Sequence, residues 1–365
     1  MKILLLTSHL NTGGITSYLL SLTRGLIKRG HQVFVASSGG NCQSMIEADG
    51  AVHIQLGFRT KSELNPKIYA KLGDLKKLMA DEGIDVIHAQ TRVTQVMGFF
   101  LSRMTGKPLI TTCHGFFKPH FFRRLFPCWG VGTIAISRPV YQHLVSDFFV
   151  NPEQVSLISN GIDCGKFAAV TDELREQKRV EWKISSTHVI GIIARLSDVK
   201  GIDVLLKTMP LVMKVYPDIL LLVVGDGPEK DRLKALVEGL NLKAHVRFES
   251  IVNQTAEILP VFDIFIMPSR QEGLGLSVME AQACALPVIA SRVGGLIDLI
   301  DDGRTGYLVP PENPKALAKK ILDVLEHPND AKQVGLVARE AILQSFSLEQ
   351  MAAATEKVYE EYTRR

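Results

Sequence analysis

The sequence lacks any apolar run near the roughly 20 residues that a helix needs to cross a bilayer. Its opening, MKILLLTSHL, carries a single lysine and a short apolar stretch, too little for a secretory leader, and reads as a buried strand. Cysteine is sparse: Cys42, Cys113, Cys128, Cys164 and Cys284 are scattered and never form a C-x-x-C pair. That usage suits reduced thiols in the cytoplasm and argues against a zinc site. Cys113 and His114 are adjacent, but neighbours on a strand point to opposite faces, which counts against a Cys–His nucleophile. There is no Asp-x-Asp pair and no His/carboxylate cluster at metal spacing. A G-x-G-x-x-G after the first strand and a P-loop G-x-x-x-x-G-K-[ST] are missing too, which leaves nicotinamide dehydrogenases and P-loop NTPases without support.

What is present is a generous aliphatic content over 365 residues, with no low-complexity stretch. That is enough chain for two ordinary domains of a soluble globular protein. Charge is uneven. Residues 1–170 hold 18 Lys+Arg against 10 Asp+Glu, and residues 171–365 hold 24 against 28. A basic first half suits an anionic partner or a membrane surface, and a solvated lysine face on helices explains it equally well.

The first half alternates strand and helix signals: KILLLTS, QVFVAS, DVIHA, PLITTCH and GTIAIS, separated by helical segments. After KILLLTS come Gly13 and Gly14, then a helix with Ile15, Leu19, Leu22 and Leu26 on one face, stopping near Gly30. Asn65-Pro66 reads as a cap and first-turn proline of a helix ending near Gly83. The second half repeats this grammar with HVIGIIA, DILLLVVG, VRFES, DIFIMPS and PVIAS, and three helical stretches close the chain. Short unalternating strands with helical crossovers imply parallel sheets covered on both faces. The expected fold class is α/β with two doubly wound domains, a linker in NGIDCGKF (160–167), and ligands beyond the carboxyl ends of the strands. Two such domains facing each other would enclose a cleft.

Four constellations carry chemistry. In PSRQEGLGLSVMEAQACALP (268–287), the amides of Gly273, Leu274, Gly275 and Leu276 are those that a helix N-terminus leaves free for phosphate. Glu280, in about the first turn, can accept hydrogen bonds from both hydroxyls of a ribose diol, and Glu272 faces whatever follows the phosphates. Their bland reading is a helix-dipole carboxylate and a solvated loop residue. In ARLSDVKG (194–201), Arg195 and Lys200 can converge on one anion, or else form surface pairs with Asp198. VGDGP (224–228) is a weaker glycine turn containing Gly225. His114 in TTCHGFF stands where a strand gives way to a glycine, a functional or a purely structural place.

Together these residues make the chain similar to the retaining nucleotide-sugar glycosyltransferases of family 4, whose GT-B fold has two Rossmann-like domains. The similarity runs along nearly the whole chain, through the early glycine pair, DVIHA, His-Gly, NGID, ARLSDVKG, VGDGP, EGLGLSVMEA, Gly294-Gly295 and DGRTGYLVPP. It implies an acceptor-side domain over residues 1–165, a nucleotide-sugar domain over 166–345, and a final helix, 346–365, returning to the first domain. It also implies that Arg195 and Lys200 neutralise the donor diphosphate, Glu280 holds the ribose hydroxyls and Glu272 meets the sugar ring. His114 would lie near donor sugar and acceptor, with Gly13, Gly14, Gly225 and the residues Gly273–Leu276 among the donor contacts. The nucleobase would sit by the loop after VRFES. Leu274 stands where many relatives have phenylalanine, Gln90 where histidine is common, and Ile297-Asp298 where Pro-Glu is common.

The implied reaction moves a hexose-type sugar from a UDP- or GDP-linked donor to an acceptor hydroxyl with retention, needing neither a metal nor another cofactor, in cell-surface glycan or glycolipid synthesis. A nucleotide-sugar epimerase and a non-catalytic sugar-nucleotide-binding protein are the alternatives. The acceptor is expected to be a glycan or a lipid-linked sugar, and no nucleic-acid partner is expected. The segment GFFKPHFFRRLFPCWG (115–130) joins six aromatics to Lys118, Arg123 and Arg124. It suits either peripheral contact with an anionic membrane from the cytoplasmic side or a buried acceptor-side loop.

Overall fold

The structure is a computed structural model describing residues 1–364 except 58, 61, 64, 120, 251 and 253, with the side chains of 121 and 122 also left out. Parts of the aromatic–basic segment and of the loop after VRFES therefore lie outside the described residues. The chain forms two compact units, one comprising Met1–Gly161 with the segment from Leu348 onward, the other Ile162–Ser347.

In the first unit the strands are β1 (Lys2–Leu6), β2 (Gln32–Ser37), β3 (Val52–Gln55), β4 (Val86–Ala89), β5 (Leu109–Cys113), β6 (Gly132–Ala135) and β7 (Val155–Leu157). They pair in the order β3-β2-β1-β4-β5-β6-β7, every pairing parallel. The alternation of side chains along β1 divides the core. Ile3 and Leu5 join one buried cluster, with Leu19, Leu22 and Leu26 of the helix Gly14–Lys28. Leu4 and Leu6 join another, with Met97 and Leu101 of the helix Arg92–Thr105. A sheet buried on both faces is why its central strands carry continuous apolar runs.

The last helix, Leu348–Thr363, belongs to this unit and supplies Met351, Ala352 and Tyr359 to the first cluster. Two features hold it there. A Cβ on Gly25 would stand 2.6 Å from the Cβ of Ala352, so the glycine lets the helices approach closely. The Tyr359 hydroxyl lies 2.6 Å from His88 Nδ1, and His88 Nε2 lies 2.7 Å from Thr112 Oγ1. Burial pushes His88 down to about 3, with nearby His114 acting in the same direction, so this network is neutral.

In the second unit β8 (His188–Ile193), β9 (Ile219–Val224), β10 (Val246–Glu249), β11 (Ile264–Met267), β12 (Val288–Ser291) and β13 (Tyr307–Val309) pair as β10-β9-β8-β11-β12-β13. All these pairings are parallel. The order reverses between β1 and β4 in the first sheet and between β8 and β11 in the second. Loops leaving the carboxyl ends of such strands diverge and open a crevice, the favoured ligand position in this architecture. Of the expected helices, the one begun by Asn65-Pro66 is two, Pro66–Ala70 and Leu72–Glu82, ending at Gly83 in the left-handed region. The helix expected from Pro228 starts two residues later, as Lys230–Gly239.

Replacing Gly25 with valine should push the last helix off its seat. The expected cost is about 1–3 kcal/mol, as for overpacking elsewhere, read as a lower urea midpoint and faster proteolysis at the carboxyl terminus. An unchanged midpoint would show that the close approach is not required.

Candidate active site

Two loops leave the second sheet where its strand order reverses. One follows β8 and carries Arg195 and Lys200; the other follows β11 and carries Glu272 and the glycines. They are locked together by backbone. Gly201 takes φ +63°, and a Cβ there would stand 2.0 Å from the Pro268 carbonyl oxygen. Beside it, the Arg270 amide donates to the Val199 carbonyl at 2.8 Å. Gly225, at φ +145°, is used in the same way, since its Cβ would stand 2.0 Å from the carbonyl oxygen of Ala194. The chain's own packing thus already requires glycine at 225.

Arg270 clamps the two loops with its side chain. Its guanidinium donates to the Asp198 carbonyl at 2.7 Å, to both Asp203 carboxylate oxygens at 2.9 and 3.0 Å, and to Glu312 at 3.0 Å. Burial pushes the Asp203 carboxyl up, but hydrogen bonds from Arg270 and Lys207 outweigh it and hold the group at about 2. The hydrogen bond to Asp203 in turn raises Arg270.

On this frame Lys200 Nζ donates to Glu272 Oε2 at 2.5 Å, and Ser269 Oγ donates to the same oxygen at 3.3 Å. Lys200 is thus paired with the neighbouring carboxylate here. Arg195 is exposed, and its side chain bonds to no described residue. It does not pair with Asp198, which lies 3.5 Å from Arg270 and 3.8 Å from Arg232. The amides of Gly273, Leu274, Gly275 and Leu276 likewise donate to no described group. They lead into the helix Leu276–Ala283, with Gly275 at its N-cap. The Leu274 side chain is buried, so that residue can offer only its backbone. The Gly294-Gly295 pair supports this loop: the Gly295 amide donates to the Glu272 carbonyl at 3.0 Å. Glu280 lies five residues into the helix, beyond the first turn. Burial pushes its carboxyl up to about 7, against a hydrogen bond from Thr255.

The first unit presents neutral groups. Gly13 caps the helix that Gly14 begins, and both are exposed. A Cβ on Gly13 would meet nothing closer than the Asn11 carbonyl oxygen at 3.9 Å, so packing does not demand glycine there. Gln90 follows β4, and its amide donates to the Leu6 carbonyl at 2.9 Å. His114 follows β5, with Nε2 2.9 Å from Gln90 Oε1 and the ring edge-on to Tyr18 at 4.7 Å between centroids. Burial pushes His114 down to about 3 and the Cys113 thiol up to about 11. Cys113 is thus inert, as its strand position implies. Among the described residues no group of three His, Cys, Asp or Glu is placed to hold a metal ion.

Family models match both halves of the chain. A model described as "Glycosyltransferase Family 4" matches residues 12–166, and one described as "Glycosyl transferases group 1" matches residues 175–341. The chain belongs to glycosyltransferase family 4. It is 27% identical over 385 residues to the D-inositol 3-phosphate glycosyltransferase of Corynebacterium glutamicum, covering 96% of this chain and 92% of that one. A GDP-mannose-dependent alpha-(1-6)-phosphatidylinositol monomannoside mannosyltransferase of Mycolicibacterium smegmatis is 33% identical over 49% of each chain. The solved structure of HepE from Anabaena in complex with UDP-glucose superposes with a TM-score of 0.86 at 21% identity, covering 98% of this chain and 99% of that one. This likeness shows the fold, GT-B. The protein is thus an enzyme, a glycosyltransferase of the hexosyltransferase type.

Two residues of this candidate site had no role in the sequence reading. Arg270 lies inside the glycine loop, but its partner Asp203 is 67 positions earlier, and nothing local announces the pairing. Gln90 stood out only as a departure from a common histidine.

Arg270→Met should cost about 3–5 kcal/mol in urea unfolding, because Asp203, 4% exposed, is left buried with only the half-exposed Lys207 as partner. The pH dependence has a definite sign. The unfolded carboxyl, at its ordinary ~3.9, takes up its proton before the native one does. Stability from this pair is complete at neutral pH and falls as pH drops from about 4 through 2. The variant should show a much smaller acid limb, with Lys207 alone left to hold Asp203 down, and an identical limb in both proteins would refute the clamp.

Proposed function

We propose that this glycosyltransferase moves a hexose-type sugar from a UDP- or GDP-linked donor to an acceptor hydroxyl, with retention and without a metal. The observation carrying this reading is the set of unsatisfied donors where the second strand order reverses: exposed Arg195 and the free amides of Gly273–Leu276, beside Lys200. Fixed cations and a helix N-terminus are what a diphosphate leaving group needs. In this reading Lys200 exchanges Glu272 for a diphosphate oxygen, which frees Glu272 for the sugar hydroxyls. Glu280 accepts hydrogen bonds from the ribose diol, and His114 faces the sugar and the acceptor. Gly13 and Gly14 leave room for the substrate.

The sugar–oxygen bond to the diphosphate breaks while the acceptor oxygen bonds the same face of the anomeric carbon. The acceptor's proton passes to a diphosphate oxygen. Negative charge grows on the leaving group, so Arg195 and Lys200 contribute most where the transition state needs them. The relatives act on inositol phosphate or phosphatidylinositol mannoside, by their names, and HepE was solved with UDP-glucose. A sugar nucleotide and a glycan or lipid-linked acceptor, in cell-surface glycan or glycolipid synthesis, fit that company.

Glu280 gives the donor assignment its test. The free protein holds this proton up to about pH 7, whereas an unfolded glutamate has released it by about 4.3. The buried carboxyl therefore destabilises the free protein progressively across that window as pH rises. A diol favours the carboxylate, so calorimetric affinity for a nucleotide sugar should rise by up to about tenfold per pH unit below 7 and level off above it. Glu280→Gln should abolish the dependence, and Lys200→Ala should lower kcat by about two orders of magnitude or more. A pH-independent wild-type affinity would sink the role of Glu280.

A peripheral membrane contact also has a specific observation behind it. Phe149 is 74% and Leu125 69% exposed, and the Arg124 guanidinium lies 5.5 Å from the centre of the Phe149 ring. Lys118 is exposed nearby in sequence, while Trp129 is buried and packs edge-on against Phe148. An apolar side chain beneath a cation suits an anionic bilayer surface. Sedimentation with vesicles containing anionic lipid should carry the wild type down and leave a Leu125→Ser, Phe149→Ser variant in solution. Equal partition with neutral vesicles would discard this contact.

A further inference from the structure

Gln90 is 3% exposed, and its Nε2 has no partner among the described residues. Its carboxamide oxygen lies 2.9 Å from His114 Nε2. A carboxamide oxygen accepts hydrogen bonds and cannot donate one, so the proton between them sits on His114 Nε2. The ring is neutral, because burial holds its pKa at about 3. A neutral imidazole carries one N–H, which leaves Nδ1 with a bare lone pair. No described residue takes up that lone pair. Ring rotation is limited by the edge contact with Tyr18, whose hydroxyl is tied to Thr112 at 3.3 Å. Thr112 is held by His88 at 2.7 Å, and His88 by Tyr359 of the last helix.

We infer that Gln90 is a positioning residue that fixes His114 as the Nε2–H tautomer, presenting Nδ1 as a hydrogen-bond acceptor to a substrate hydroxyl. The inference rests on the reading of His114 as a substrate-facing residue and adds which atom acts and in which direction. A hydroxyl can donate to Nδ1, whereas an anionic diphosphate oxygen cannot. The arrangement therefore assigns His114 to a hydroxyl of sugar or acceptor and leaves the diphosphate to the second domain's cations. It also explains a carboxamide in place of an ionisable group. A glutamate at 90 would stabilise the imidazolium and remove the lone pair that the hydroxyl needs.

The titratable groups facing His114 do not disturb this assignment. Tyr18, from the helix Gly14–Lys28, is raised by burial and stays protonated. His88 from β4 is neutral, held at about 3 by burial, and the Cys113 thiol beside His114 is held at about 11.

The test combines long-range proton–nitrogen correlation of 15N-histidine-labelled protein with kcat at saturating donor. The His114 signals are assigned by their loss in His114→Gln. The wild type should show the Nε2–H tautomer with Nδ1 unprotonated and no ring titration from pH 5 to 9. Gln90→Leu should mix the tautomers and lower kcat on the order of tenfold, the scale of losing an orienting partner. Gln90→Glu, close in size and so a check on folding, should bring the His114 titration into the observable range. Its kcat should fall at low pH and recover at high pH as the imidazolium deprotonates. A wild-type Nδ1–H tautomer, or a signature and kcat unchanged in both Gln90 variants while His114→Ala is inactive, would overturn the inference alone. A His114→Ala enzyme with full kcat would overturn the substrate-facing reading on which it rests.

Discussion

The carbonyl oxygen of Pro268 lies where a side chain on residue 201 would stand, and the loops after β8 and β11 are organised around that contact. Because Gly201 has no side chain, the loop after β8 can lie against the loop after β11, backbone to backbone. Once they touch, Val199 accepts from Arg270, and the Arg270 guanidinium reaches back to Asp198 and Asp203. The pairing of Lys200 with Glu272 follows from the same approach. A methyl group at 201 would separate the loops and take the four charges with them. The chemistry of the site is thus set by a steric vacancy, and the ion pairs record its consequences.

The central elements were legible in the sequence because burial on both faces writes itself as an apolar run. All five strands expected in the first half and all five in the second are present. The strands that gave no signal are β3, β7 and β13, each at the edge of its sheet. They are four, three and three residues long, and their burial is incomplete, so neither length nor apolar continuity marks them. The loops that carry charge were legible for another reason: glycine beside arginine, lysine or glutamate after a strand is a local pattern. Pairings were not legible. Lys200 and Glu272 are 72 positions apart, and His114 and Gln90 are 24 apart. Only the sheet order, which sets β8 beside β11 and β4 beside β5, brings them together.

The two domains treat polar groups in opposite ways. Around His114 and His88 burial wins, the imidazoles are neutral, and hydrogen bonds run from hydroxyl to ring to hydroxyl. A neutral network has direction without net charge, and direction is what recognition of hydroxyls requires. In the second domain the carboxylates near the loops have cations beside them, Asp203 with Arg270 and Glu272 with Lys200. Glu280 is the exception. It lacks a cation and is raised to about 7. An uncompensated buried carboxyl is a liability in a free protein, and it becomes an asset only if a ligand's hydroxyls complete it.

The Lys200–Glu272 pair shows how a charged site can stay ready without a ligand. An unpaired ammonium half-buried in this loop would either lose its proton or swing into water, and would have to be reordered at each turnover. Glu272 holds it in place at 2.5 Å, with Ser269 steadying the carboxylate. A donor diphosphate brings two negative charges where Glu272 offers one, and the free amides of Gly273–Leu276 add attraction that Glu272 cannot match. In the proposed exchange Lys200 would change partner from an already ordered position, so little of the donor's binding energy would be spent on ordering the side chain. The displaced carboxylate would then be left for the sugar hydroxyls to satisfy. In the proposed reading one exchange would place a cation on the leaving group and an acceptor on the transferred ring, which would couple donor binding to the positioning of the group that moves.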